Sequence, residues 1–110
     1  MNNYKIVSIL HNGKDGERGS VRTEGTHHSR VGRIIQFDWR NIKIGKSLVA
    51  NYIKDENGND YFGFGMITSI VKDLDFIDEG VCQIETLNSI YVLEQIDIDP
   101  AYLFYQKDDV

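Results

Sequence analysis

The sequence predicts a mainly β protein: a small, strongly bent antiparallel barrel or sandwich of five to seven strands, with a short C-terminal helix. Three observations carry this expectation. Short runs rich in β-branched and aromatic residues alternate with period two, and Gly-, Asn- and Asp-rich turn signals separate them. Only the last segment reads as helical. Gly63 and Gly65 alternate with Phe62 and Phe64, which points to a bend or a close backbone approach within a strand, as at a barrel corner.

Residues 4–10 alternate Tyr4, Ile6, Ser8 and Leu10 against Lys5, Val7 and Ile9 and predict the first strand. Asn12-Gly13 and Asp15-Gly16 demand turns, residues 19–23 allow a short strand, and 24–29 form a polar loop about Gly25. Residues 31–39 read as a strand with Val31, Ile35, Phe37 and Trp39 on one parity and Arg33 interrupting that face. Residues 47–54 place Leu48, Ala50 and Tyr52 on one side, and Asn57-Gly58 turns the chain by supplying positive-φ positions cheaply. A long strand is expected over 61–72, with Phe62, Phe64 and Met66 on one face, and an acidic turn over 73–80. Residues 81–86 and 90–96 form a second hairpin about Asn88-Ser89. Asp99 as N-cap and Pro100 at the first helical position predict the short helix, followed by an acidic tail. The expected organisation is one barrel domain over 1–96 and the helix and tail over 97–110.

Charge is distributed unevenly. Residues 1–54 hold ten Lys/Arg against four Asp/Glu, whereas 55–110 hold two against thirteen. Such a chain has two electrostatic faces or two halves that attract one another. The net charge of −5 argues against general nucleic-acid binding. Cys82 is the only cysteine, so no intramolecular disulfide forms, and a reducing, cytoplasmic location is expected. No apolar run approaches the roughly 18 residues of a membrane span.

All five arginines, Arg18, Arg22, Arg30, Arg33 and Arg40, fall in one short window that also holds His27 and His28. Guanidinium forks, the hydroxyls of Ser20, Thr23, Thr26 and Ser29, and close glycines are the parts of a phosphate site. The candidate ligand residues are Arg22, Arg30 and Arg33, supported by His28 and Ser29, with Trp39 or Phe64 stacking on a base. The competing reading is a solvated basic loop that pairs with the acidic half. If Arg33 follows strand parity it faces inward, and it then meets a carboxylate, sits at a bulge or opens into a ligand cavity.

His11, His27, His28 and Cys82 match no zinc spacing, and no metal or cofactor is expected. Cys82, between apolar neighbours, reads as inert core. Ile44-Gly45-Lys46-Ser47 lacks the first glycine and the following helix of a P-loop. The consecutive Tyr102, Leu103, Phe104 and Tyr105 need a surface to pack on, either the barrel itself, as a lid, or a second subunit, and a homo-oligomer is expected.

Residues Ile67-Thr68-Ser69-Ile70-Val71, followed by Glu85-Thr86-Leu87-Asn88-Ser89-Ile90-Tyr91-Val92-Leu93-Glu94, resemble a recurring ending in small β proteins of phage and bacterial accessory genomes. The resemblance spans about thirty residues, 67–96, and implies a β fold without a particular activity. Compact phage proteins are often non-catalytic, and some sequester nucleotide signals of host defence. The function expected first is therefore non-enzymatic sequestration of a small phosphorylated, nucleotide-like ligand. The alternatives are a protein-interaction module working through the acidic face and aromatic tail, and a small nucleotide hydrolase or lyase using His27 or His28 as general acid or base.

Overall fold

The computed structural model describes residues 2–23 and 28–96. The predicted C-terminal helix and tail over 97–110 lie outside the described residues. Six antiparallel strands are described: β1 (Asn2–His11), β2 (Ile34–Phe37), β3 (Ser47–Lys54), β4 (Gly65–Asp78), β5 (Val81–Thr86) and β6 (Ser89–Ile96). Each pairs with its neighbours in sequence, and β1 pairs with β6 to close the ring. The result is an up-and-down barrel without a crossover.

Strand alternation sends one set of side chains inward. Tyr4, Ile6, Ile9, Ile35, Ile84 and Leu93 form the middle of a buried core, joined by Phe37, Met66, Val71 and Tyr91. Tyr4 and Phe37 stack with ring centroids 4.6 Å apart. Bulges let the pattern change phase. In β1 the register shifts between Ile6 and Ser8, so Val7 turns outward and Ile9, of the opposite parity to Ile6, faces the core. In β4 the four residues from Ile67 to Ile70 face the three from Val49 to Ser47 on β3. There the Thr68 hydroxyl accepts from the Leu48 amide at 3.0 Å and donates to Ser69 O at 2.7 Å, satisfying main-chain groups that the bulge displaces.

Several expected elements are corrected. β4 begins at Gly65, not at 61, because Tyr61–Phe64 is still loop: Gly63 has φ 86°, and the Phe62 and Phe64 rings are exposed. The acidic stretch is strand as far as Asp78, and only 79–80 turn, with Gly80 at φ 73°. Residues Val31 and Gly32 turn before β2, and Trp39 belongs to a 3-10 turn (Trp39–Asn41) rather than to a strand. The short strand expected over 19–23 reduces to a single bridge between Val21 and Leu10. The glycine pair keeps half of its predicted role. A Cβ on Gly65 would lie 3.1 Å from Ala50 O, so β3 and β4 approach closely there.

His11, the last residue of β1, is held by the loop that follows: its amide donates to Ser20 O, and its carbonyl accepts from the Gly19 amide, both at 2.8 Å. Gly16 lies on the imidazole face, and an added Cβ would meet three ring atoms at 2.8–2.9 Å. Gly16→Ala gains about 0.4–1 kcal/mol from the less flexible unfolded chain. Overpacking a buried ring costs about 1–3 kcal/mol and dominates. The variant is expected to be about 1 kcal/mol less stable in urea denaturation, and a double-mutant cycle with His11→Ala should recover most of the loss.

Candidate functional site

An up-and-down ring places alternate connections at opposite ends. The β1–β2, β3–β4 and β5–β6 loops share one mouth of the barrel, and the β2–β3 and β4–β5 connections share the other. The described parts of the basic connection, 12–23 and 28–33, therefore lie at the first mouth, and their arginines hold neighbouring parts of the chain. Arg18 grips Glu85 through Nη2 and Nη1, at 2.7 and 3.1 Å. Arg22 Nη1 donates to Asn88 O and to Ser89 Oγ, the latter at 2.9 Å. Arg33 Nε donates to Glu56 at 2.7 Å. The expected attraction between basic and acidic halves thus operates within one chain, through Arg18–Glu85 and Arg33–Glu56.

Arg33 takes the carboxylate option for an inward-facing guanidinium. It precedes β2, is half-buried, and its guanidinium carbon lies over the rings of Tyr52 and Tyr61 at 5.1 and 5.2 Å. Burial opposes its charge, but hydrogen bonds to Glu56 and Tyr52 outweigh that, and its pKa lies above the ordinary arginine value. The same hydrogen bond holds the Glu56 carboxyl below its usual range. Tyr61 in turn stacks on Phe64, centroids 4.7 Å apart and 15° from parallel. A ladder of Arg33, Tyr61 and Phe64 therefore ends in an exposed ring.

Arg30 ends the 3-10 turn His28–Arg30 and is half-buried. Its Nη1 donates to the hydroxyl of Tyr91 at 3.3 Å. Among the described residues no carboxylate lies within ion-pair distance of it. Tyr91 is buried, and burial raises its phenol pKa, while the Arg30 and Arg22 cations act in the opposite direction. Tyr52 is close enough to Tyr91 for the two phenols to influence each other. Two buried tyrosines thus meet the arginines: Tyr91 through its hydroxyl with Arg30, and Tyr52 through its ring beneath Arg33.

Of the residues singled out by sequence, Arg30 and Arg22 both act on Tyr91, while Arg33 lies over Tyr52 and Tyr61, and Phe64 stacks on Tyr61. Ser29 is exposed in the turn beside Arg30. His28 shares that turn; its side chain and residues 24–27 lie outside what is described. Trp39 is not part of the group. It lies at the other mouth, edge-on to Phe76 with centroids 5.6 Å apart, beside Arg40 and its partner Asp38. Two shallow cavities, of about 280 and 150 Å³, also lie at the Trp39 end, lined in part by Asp38, Asn41, Ile42 and Asn2. Sequence reasoning missed Tyr52 and Tyr91 as members of the site. Tyr52 shares the inward parity of Leu48 and Ala50, and that parity was the available signal.

Cys82 is buried in β5, and burial pushes its thiol to about 11. A thiol that weakly ionised is a poor nucleophile at neutral pH. A disulfide-exchange reagent at pH 8 is expected to leave Cys82 unlabelled in the folded protein and to label it fully in denaturant; rapid native labelling would contradict its core placement. Among the described residues no three His, Cys, Asp or Glu side chains group as a metal site. Among them, too, no helix is long and apolar enough to cross a membrane. No family model, curated protein or solved structure matches the chain.

Proposed function

We propose that the arginine-bearing mouth of the barrel binds a small phosphorylated, nucleotide-like ligand and sequesters it without turnover. Arg30 carries the reading. A half-buried guanidinium that rests on a phenol, with no carboxylate beside it among the described residues, is placed to meet an anion, with Arg22 and Arg33 in the same connection. Phosphate oxygens accept from Arg30 and Arg22, and the exposed face of Phe64 continues the stack from Arg33 and Tyr61 to a base. Arg33 serves chiefly as the base of that stack, because Glu56 already engages it.

The protein acts in this reading as a homo-oligomer in the cytoplasm, in the manner of a phage counter-defence sponge. Support for self-association comes from the outer face of the sheet. Val49 and Ile67 oppose one another across β3 and β4 and are 64% and 67% exposed. Such paired apolar residues on an outer face favour burial against another surface. Native mass spectrometry with a pool of cellular nucleotides tests both parts. An oligomer retaining a nucleotide-sized mass is the expected result. A protein mass that never shifts would remove the ligand from the proposal.

A further inference from the structure

β4 is longer than the strand it pairs with on one side. Through Gly65–Ile70 it lies against β3, and the Val71 backbone still bonds Gly45 and Lys46. From Val71 to Asp78 its other side pairs with β5. Among the described residues, no strand and no backbone hydrogen bond covers the β3 side of Lys72–Asp78. A run of unpaired amides and carbonyls of this kind is a template for another strand.

Two features select what such a template accepts. Asp73, Asp75 and Asp78 are exposed along the segment and Glu79 follows, with Lys72 already reaching toward Glu85. Beside them the Trp39–Phe76 pair leaves both rings exposed, at 41% and 53%. A second copy presenting the same edge would set aspartates against aspartates. Residues 97–110 carry Asp97, Asp99, Asp108 and Asp109 against Lys107 and share the sign of the edge. We propose that the free edge of β4 between Lys72 and Asp78 takes up an extended, cationic segment of another protein as an added strand, with an apolar side chain of that segment seated on Trp39 and Phe76. Its Trp39–Phe76 end lies toward the mouth opposite Arg22, Arg30 and Arg33, while Asp73 at its other end is close enough to Arg18 to act on it.

The test uses the full chain and a fluorescent peptide of about ten residues alternating Lys with Val, followed by anisotropy at about 150 mM salt, where charges beyond roughly 8 Å are screened. A second peptide, N-methylated at alternate amides, keeps the charge and removes the strand hydrogen bonds. Asp73→Lys with Asp75→Lys reverses the edge, and Asp15→Lys with Glu17→Lys makes the same change of net charge in the β1–β2 loop. The proposal expects saturable binding of the first peptide only, weakened at least about tenfold by the edge reversal and little by the distant one. Hydrogen exchange of the Lys72–Asp78 amides that β5 leaves unpaired should slow when the peptide is added. No binding, equal binding of the methylated peptide or equal loss in both reversals would overturn it. So would protection of those amides before peptide is added: in the monomer it would assign the edge to the chain's own tail, and if concentration-dependent, to a second copy.

Discussion

Arg30→Ala is expected to weaken nucleotide binding on the order of 100-fold while the fold persists. A hydrogen bond to a charged group contributes about 1.5–3 kcal/mol, and a guanidinium on phosphate lies at the upper end. The side chain's described hydrogen bond is the 3.3 Å bond to the Tyr91 hydroxyl, so its removal costs the fold only about 1 kcal/mol. Tyr91 keeps the Arg22 cation nearby. Calorimetric titration and a thermal melt on the same preparation separate the two effects. Arg40→Ala is the matched control: Arg40 is exposed at the opposite mouth and pairs with Asp38, so binding should be unchanged. Parent-like affinity in Arg30→Ala would remove the central residue of the proposed function.

Leu93→Ala is expected to be the most damaging single truncation, at about 3 kcal/mol. Leu93 is fully buried and lies between Ile6 of β1 and Cys82 of β5. Strands flank it on both sides, so neighbours cannot collapse into the void without breaking register, and the cavity persists. For a protein with a total stability of about 5–15 kcal/mol, the loss lowers the melting temperature on the order of 15 °C. Leu93→Met keeps most of the volume and should lose under about 1.5 kcal/mol. Equal effects from the two variants would mean that the ring relaxes around this position.

The strands were legible where alternation and turn chemistry agreed. β3, β5 and β6 emerge from period-two patterns bounded by Asn57-Gly58 and Asn88-Ser89. β4 was misplaced at both ends for physical reasons. Alternation of Phe62 and Phe64 with glycines mimics a strand, yet Gly63 takes a positive φ and both rings are exposed. The aspartates after Val71 read as a turn, whereas they occupy an edge that water reaches, where charge is tolerated within a strand. Phase changes at Val7 and at Thr68 were illegible, because a bulge is set by pairing with a distant strand. For the site, the clustering of arginines in sequence is carried into space only so far as Arg22, Arg30 and Arg33 all belong to the β1–β2 connection. Including Trp39 was an error of topology. β2 carries the chain back across the barrel, so a residue just after it is delivered to the other mouth.

The ring closure of the barrel also bears on how it assembles. Four of its six seams join strands linked by ten residues or fewer, and the β1–β2 seam by a loop of 22. The last, β1 with β6, joins segments far apart in the chain, from His11–Ser89 to Asn3–Ile96. Hairpins of short span form in microseconds, whereas a distant pairing must first gather the chain. The open meander leaves Ile6, Ile9 and Leu93 without their partners across that seam until the two strands meet, so this pairing is expected to form after the hairpins. The bulge at Val7 sits within that register and makes it singular: a slip by one residue would turn Ile6 and Ile9 out to water together.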